Sequence, residues 1–427
     1  MSKSKISRLI AVPPLLIWIL LLSTPARPEN WPRFRGPNGQ GISHDKNIPT
    51  SWTPADYEWK LTLPGAGHSS PIVWGRTVLV TCSDRKNAAG FVLAIDAQNR
   101  NLLWKKRYDL PQMRMNRLND YAVATPAADP KRFYLLWPTS EKTLALALDH
   151  KGKGLWKTTL AGVKCQHGPG TSPIIYEDLV VFTIEQEQTA NPAANSAWIA
   201  LDAATGQVRW QLPRNTGPKT SYSTPAVYRP GSDRPMLIFT SHSHGITAVD
   251  PRTGNVVWEI PSAFTSRVVS SPVISDRLII ATCGNGSAGT CLVAARPEGH
   301  RRATIAYKIE ENSVPYVPTS IAVDGLLFTF HDRGQVCCLR TNTGELLWRE
   351  KPAGRFYGSP VWVDHALYCI SLDGDVVVLR AAPKYDLLAV VPLGEKSHAT
   401  PAVADGRMYL RTFSQLFCLA GKKKPAR

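Results

Sequence analysis

A single phrase recurs along this chain every 40 to 55 residues. It runs from a hydroxyl residue and proline, through strand-forming residues, to a turn with Asp or Gly that ends on Trp. The clearest copies of its second half are Leu201 to Trp210, Val249 to Trp258 and Leu339 to Trp348, each with Thr-Gly ahead of the Trp. A period of that length, filled with strand formers, means radial or linear repetition of one unit and not one irregular core.

The first half recurs at Ser70-Pro71, Thr125-Pro126, Ser172-Pro173, Thr224-Pro225, Ser271-Pro272, Ser359-Pro360 and Thr400-Pro401. An eighth copy, Thr319-Ser320, keeps the hydroxyl and replaces the proline. Behind each lies an apolar run, a turn and a second apolar run, as in Pro401 to Leu410, which reads as antiparallel strands. Proline is tolerated there because a strand's first residue can lack a ladder donor. The Trp-bearing strand occurs at Trp59, Trp104, Trp156, Trp210, Trp258 and Trp348, with weaker copies at Tyr307 and Leu388. Asp and Thr satisfy the turn amides, Gly supplies a positive φ, and the indole is left free to bury its face against a neighbouring blade.

The two series are out of step. The first Trp strand precedes any Pro strand, and the last Pro strand, ending near Cys418 and Leu419, has no Trp strand after it. Ring closure resolves this, with residues 57–63 as the outer strand of the last blade. The predicted fold is therefore all-β: an eight-bladed β-propeller of four-stranded antiparallel blades, closed by pairing an N-terminal strand with the C-terminal blade. The ring is expected over 57–420, preceded by an extension over 27–56 and followed by a basic tail over 421–427.

Lys3, Lys5 and Arg8 precede an apolar run from Leu9 to Leu22, and Ser23 to Ala26 follows with small residues. That order describes a secretory signal over 1–26. The alternative, a retained membrane anchor, is disfavoured by the short core and by Pro13-Pro14 within it. The region lacks Cys, so lipid attachment at a processed cysteine is not expected. The expected product is a soluble, monomeric, periplasmic or otherwise exported protein with no transmembrane span. Losing three positive charges takes the formal net charge from +17 to +14. A basic exported protein favours anionic partners, although surface charge also serves solubility. No nucleic-acid motif accompanies the basic tail, and nucleic acid is not an expected partner.

The Trp-ending repeats after a Ser/Thr-Pro strand resemble the pyrroloquinoline-quinone (PQQ) repeat family of eight-bladed propellers. That family takes in quinoprotein alcohol dehydrogenases and the non-catalytic BamB-like propellers of outer-membrane protein assembly. The leading segment from Trp31 to Ile42 is also similar to the start of many exported members, and Trp31 and Phe34 are expected to pin it against the ring. The resemblance implies two kinds of function. A family dehydrogenase stacks the quinone between an indole and a vicinal disulfide and binds Ca²⁺ through carboxylate and amide oxygens. This chain has adjacent Cys337 and Cys338, but they fall inside a strand, where successive residues point to opposite faces, so packing is the expected role. The large insertions that wall the quinone pocket in those enzymes are missing.

The loops from each Trp strand to the next Pro strand should open on one face around the central channel. They present Arg117, His167, Tyr222, Arg267, Arg355, Tyr357 and His398, together with Arg114, Tyr121, Lys219 and Tyr316. Few acids accompany them, and hard cations need several convergent oxygens. A basic, aromatic rim suits a carboxylate, phosphate or sulfate ligand. Its bland alternative is a solvated funnel whose residues bond to one another. His242-Ser-His244 and Cys165-Gln-His167 offer two ligands each where zinc wants three or four, and read as turns. Cys283 and Cys291 flank a glycine-rich loop and are candidates for a cross-strand disulfide. No nucleophile elbow, phosphate loop or dinucleotide fingerprint appears. The expected function is a non-catalytic binding or scaffolding module, without cofactor, for a cell-envelope protein or an anionic ligand. The alternative is a PQQ- and calcium-dependent dehydrogenase acting on an alcohol or sugar.

Overall fold

The computed structural model describes residues 29–187, 196–215, 217, 219–231, 234–275, 277–286, 288–311 and 314–421. The expected signal over 1–26 and the lysines of the basic tail lie outside the described residues. Eight antiparallel sheets follow one another around an axis, blades 1 to 7 over 72–109, 127–161, 174–214, 226–260, 273–309, 321–350 and 361–392. Blade 8 takes three strands from 402–420, and its outer strand is Tyr57–Thr62, which pairs antiparallel with Gln415–Ala420. Trp59 faces Cys418 and Thr62 faces Gln415 in that register. The closure read from the two out-of-step series is the closure observed.

Apolar side chains do not collect in one core. They form a series of layers between successive blades, such as Tyr134, Phe182 and Ile199 between blades 2 and 3. Six of the eight outer strands set an indole at the rim of such a layer. Trp59, Trp104, Trp156, Trp210 and Trp348 donate Nε1–H to carbonyls of Ala97, His150, Ala203, Pro251 and Ala382, always in the next blade. In the Tyr copy, the Tyr307 hydroxyl does the same to Thr341. The turn glycine serves two ends here. Gly206 has φ 73°, and a Cβ added to it would lie 2.5 Å from the Trp156 ring. A β-bulge beside each Trp, as between Ala200 and Leu201, twists the outer strand and aims the indole sideways.

The hydroxyl before each proline has an equally regular role. Ser70 N–H donates to Thr125 Oγ1 at 2.9 Å, Thr125 N–H to Ser172 Oγ at 2.9 Å, and Ser172 N–H to Thr224 Oγ1 at 3.2 Å. The series continues through Ser271, Thr319, Ser359 and Thr400, and closes where Thr400 N–H donates to Ser70 Oγ at 3.2 Å. Eight hydrogen bonds thus run head to tail around the axis, one per blade boundary. Thr319 keeps its place without a following proline because the bond uses the residue's N–H and the next hydroxyl.

The amino-terminal extension is part of the ring. Trp31 makes a two-bond bridge to Val73 on the inner strand of blade 1, and Pro32 accepts from Ala128 on blade 2. Asn38 donates to Val227 on blade 4, Gln40 accepts from Ile274 on blade 5, and Ile42–Ser43 adds to blade 7 as a fifth, parallel strand. The segment therefore crosses the end of the axial channel where the inner strands finish. Trp31 is fully buried in doing so.

Candidate functional site

The other end of the channel, where the inner strands begin, opens into a cavity of about 400 Å³. All eight ring hydroxyls line it. So does the residue two positions before each of them: His68, Val123, Gly170, Tyr222, Val269, Val317, Tyr357 and His398. The reason is the two-residue period of extended chain, which puts both positions on the axial side. Phe34 of the amino-terminal segment also faces the cavity.

The upper ring is not uniform. Blades 7, 8 and 1 contribute Tyr357, His398 and His68, with ring centroids 5.1 Å and 4.4 Å apart in that order. Tyr222, before blade 4, stands across the axis from His398 before blade 8. It is backed by His167 and Arg267, whose guanidinium lies 6.0 Å from its ring centre. Small and apolar residues, Val123, Gly170, Val269 and Val317, fill the flanks. The cavity is a slot with two polar ends.

Arg267 is the best-anchored group in it. It is 8% exposed, and donates from Nε to the Thr220 carbonyl at 3.0 Å and from Nη1 to His167 Nε2 at 2.8 Å. Its Nη2 pairs with Glu187 at 3.3 Å. Arg267 can only donate, so His167 Nε2 accepts, and the Asn116 side-chain amide packs against Nδ1 at 3.3 Å. Burial, then Arg267, pushes the His167 pKa down. Burial takes His398 down to about 4 and His68 well below its ordinary value, His398 adding to the latter shift. All three imidazoles are therefore neutral at pH 7, each with one donor and one acceptor.

Of the seven residues singled out from sequence, His167, Tyr222, Arg267, Tyr357 and His398 come together at the cavity. Arg117 and Arg355 are exposed and do not line it. Tyr316 does, with its N–H held by Asp332 at 2.7 Å. Arg267 is the single charged side chain of the lining among the described residues, which makes that lining donor-rich rather than broadly basic. Sequence reasoning passed over His68, Asn116 and Asn119, and used the eight hydroxyls only to count blades. The signal was present: His68 sits two before Ser70 as His398 sits two before Thr400.

The quinone and calcium of the dehydrogenase alternative do not fit these residues. Cys337 packs towards blade 5 beside Leu292 and Ala294, and Cys338 towards blade 7 beside Cys369 and Val377. Neither lines the cavity, and no indole or carboxylate does so among the described residues. His242 Nδ1 and His244 Nε2 are engaged by the Ser266 and Asn215 carbonyls. Cys283 and Cys291, the candidate disulfide, are direct cross-strand partners but free thiols, with sulfurs 2.8 Å apart at the base of the hairpin that brings Gly286 to the cavity.

An eight-bladed ring with an axial, loop-rimmed cavity is the architecture of the PQQ-like propellers. A family profile described as outer membrane protein assembly factor BamB matches residues 122–317 and 310–384, and the chain belongs to that family. It is similar in fold to BamB from Moraxella catarrhalis, at 15% identity and a TM-score of 0.59 over 86% of this chain and 98% of that one. The quinohemoprotein alcohol dehydrogenase from Comamonas testosteroni aligns at 14% identity and a TM-score of 0.62, over 93% and 82%. A polyvinylalcohol dehydrogenase from a Pseudomonas species is 28% identical over 224 residues, 49% of this chain. The chain spans 31% of that relative's length. No helix among the described residues is long and apolar enough to cross a membrane.

Proposed function

We propose that this protein is an exported, non-catalytic binding module of the cell envelope, whose axial cavity takes an anionic ligand or an acidic group of a protein partner. The observation that carries the reading is the eight-hydroxyl ring. Each oxygen already accepts a backbone N–H, so each hydroxyl proton is left to donate into the cavity. A wall of donors without a carboxylate among the described lining residues suits oxygen acceptors better than a hard cation. The rigid ring holds these donors in place before a ligand arrives, which lowers the entropy lost on binding.

The test fills the slot. Val269→Trp places an indole on its apolar flank without removing a hydrogen bond. It should abolish the capture of envelope ligands that the unaltered protein retains on a column. Equal capture by a folded Val269→Trp protein would place recognition elsewhere and end the proposal. The dehydrogenase alternative is decided by titrating PQQ with Ca²⁺. No saturable binding at micromolar quinone is expected, and binding accompanied by dye-linked alcohol oxidation would reverse the assignment.

A further inference from the structure

Phe34 reaches the cavity between two arginines that do not. The guanidiniums of Arg33 and Arg35 are buried beneath the hydroxyl ring, at 6% and 0% exposure. Arg35 donates from Nη1 to the Thr319 carbonyl at 2.8 Å and from Nη2 to the Ser320 carbonyl at 2.8 Å. A further bond from Nη1 reaches the Pro360 carbonyl at 3.4 Å. Arg33 Nη1 reaches the Pro225 carbonyl at 3.4 Å, while its Nη2 has no hydrogen-bond partner. Thr319 belongs to the ring, and Pro225 and Pro360 each follow a ring residue. Both cations therefore press on the ring from below, at blades 4, 6 and 7.

Their electrostatic balance is incomplete. The bonds of both arginines run to carbonyl oxygens, and no carboxylate among the described residues pairs with either. The charged neighbour of Arg33 is Arg229, of like sign. Burial takes both pKa values down to about 9, which leaves both groups charged at neutral pH. A buried charge is costly unless it is paired, and in a low-dielectric channel its field reaches further than in water. Directly above lie eight hydroxyl donors, each less than a tenth exposed and none with an acceptor of its own among the described residues. Arg267 adds little to this field, because Glu187 answers its charge.

We infer that the floor of the cavity is an oxyanion site: a carboxylate or phosphate head group sits above Phe34 within the hydroxyl ring, with Arg33 and Arg35 as its countercharge. This rests on the binding role proposed above and names the chemistry of the ligand. It also gives the amino-terminal segment a second task. The segment closes the channel and carries two buried cations beneath the ring, on the side away from Arg411 of blade 8 and from Arg267.

The experiment titrates the purified protein with inorganic phosphate, acetate and citrate, and with glycerol as the neutral control, at fixed ionic strength. Calorimetry and thermal melting are read together. Citrate distinguishes a head group carried on a larger molecule from the free ions. Saturable binding of at least one anion and none of glycerol is expected. Arg33→Met should weaken that anion at least tenfold, because it removes the less well-bonded of the two charges. Phe34→Trp, which raises the floor without touching a hydrogen bond, should do the same and decides the matter if Arg33→Met fails to fold. If the unaltered protein binds no anion, the inference and the proposed anionic ligand fall together. If anions bind and the folded variants hold them within twofold, recognition lies at Arg267 and the upper ring. The binding role then survives and the floor site does not.

Discussion

The two ends of the axial channel are built from different parts of the chain's chemistry. The end crossed by the amino-terminal segment is held by backbone pairing, reinforced by the Arg35, Asn38 and Gln40 side chains. Trp31 and Val73 exchange two bonds at 2.9 Å, Trp362 N–H donates to Gly41 at 2.8 Å, and Ile42–Ser43 extends a sheet. The open end is held by side chains on loops, with hydroxyls, imidazoles and phenols facing inward. A backbone-paired end is fixed in shape and offers a ligand few free groups. A side-chain end can change its chemistry one loop at a time while the blades beneath it stay as they are. The contrast assigns most of the stability to one end and the variable part of recognition to the other, with Phe34 as the floor they share.

Trp31→Ala attacks the closed end and should have the largest effect. The indole is fully buried in the layer joining blades 7, 8 and 1, and Gly36 lies so close that a Cβ there would be 2.6 Å from it. Truncating a buried indole costs about 3–5 kcal/mol. Urea unfolding should show that loss, and the cavity should lose affinity as Phe34 is released. A cost near that of an exposed substitution would mean that the segment only rests on the ring.

The open end should respond to pH across the neutral range. Glu185 accepts Ser221 N–H at 2.9 Å and so holds the loop of Tyr222, and Asp332 holds Tyr316. Burial takes Glu185 up to about 7 and Asp332 up to about 6, against the pull of their hydrogen bonds. Both folded values lie above the unfolded ones. The stability they contribute is therefore fully present below about pH 4 and is lost as pH rises through 6 and 7. His398, pushed down to about 4, works the other way and loses stability as pH falls below about 6.5. A variant separates the two. The melting temperature of Glu185→Gln minus that of the unaltered protein should grow more positive from pH 5 to pH 8. The full swing corresponds to roughly 2–3 kcal/mol. A difference independent of pH would show that Glu185 does not titrate in this window.

Legibility followed the same division. Blade number, strand order and closure, expected over 57–63 and found over Tyr57–Thr62, were readable because repetition gives each position eight chances to show its constraint. The layer-facing cysteines followed from strand alternation alone. The course of the extension was not readable. Its bonds at Trp31, Pro32 and Gly41 run through backbone atoms, which every residue carries and no side chain announces. Arg33 and Arg35 likewise look like surface arginines until the channel closes round them. The rim was readable in part. Arg117 and Arg355 were chosen for charge on the right loops, whereas position two before the hydroxyl is what turns a side chain inward.

The ring of hydroxyls stands between the two ends, and its contribution sharpens the comparison most finely. Thr125→Val keeps the shape of the side chain and removes the acceptor of Ser70 N–H at 2.9 Å. A buried N–H left unpaired costs roughly 1–2 kcal/mol. If the bonds act separately, any second ring substitution should add its own loss to within about 0.5 kcal/mol. If they act as a closed strap, the position of the second substitution matters. Ser172→Ala removes the acceptor of the N–H that Thr125 itself donates, whereas Ser359→Ala acts across the ring. The adjacent pair should then cost less than the sum of its parts, because the first break has already loosened blade 2, which both bonds hold. The distant pair should cost the full sum. Equal additivity in both pairs, measured by urea unfolding, would make the hydroxyls eight independent fasteners and leave ring closure to the apolar layers and to the pairing of Tyr57–Thr62 with Gln415–Ala420.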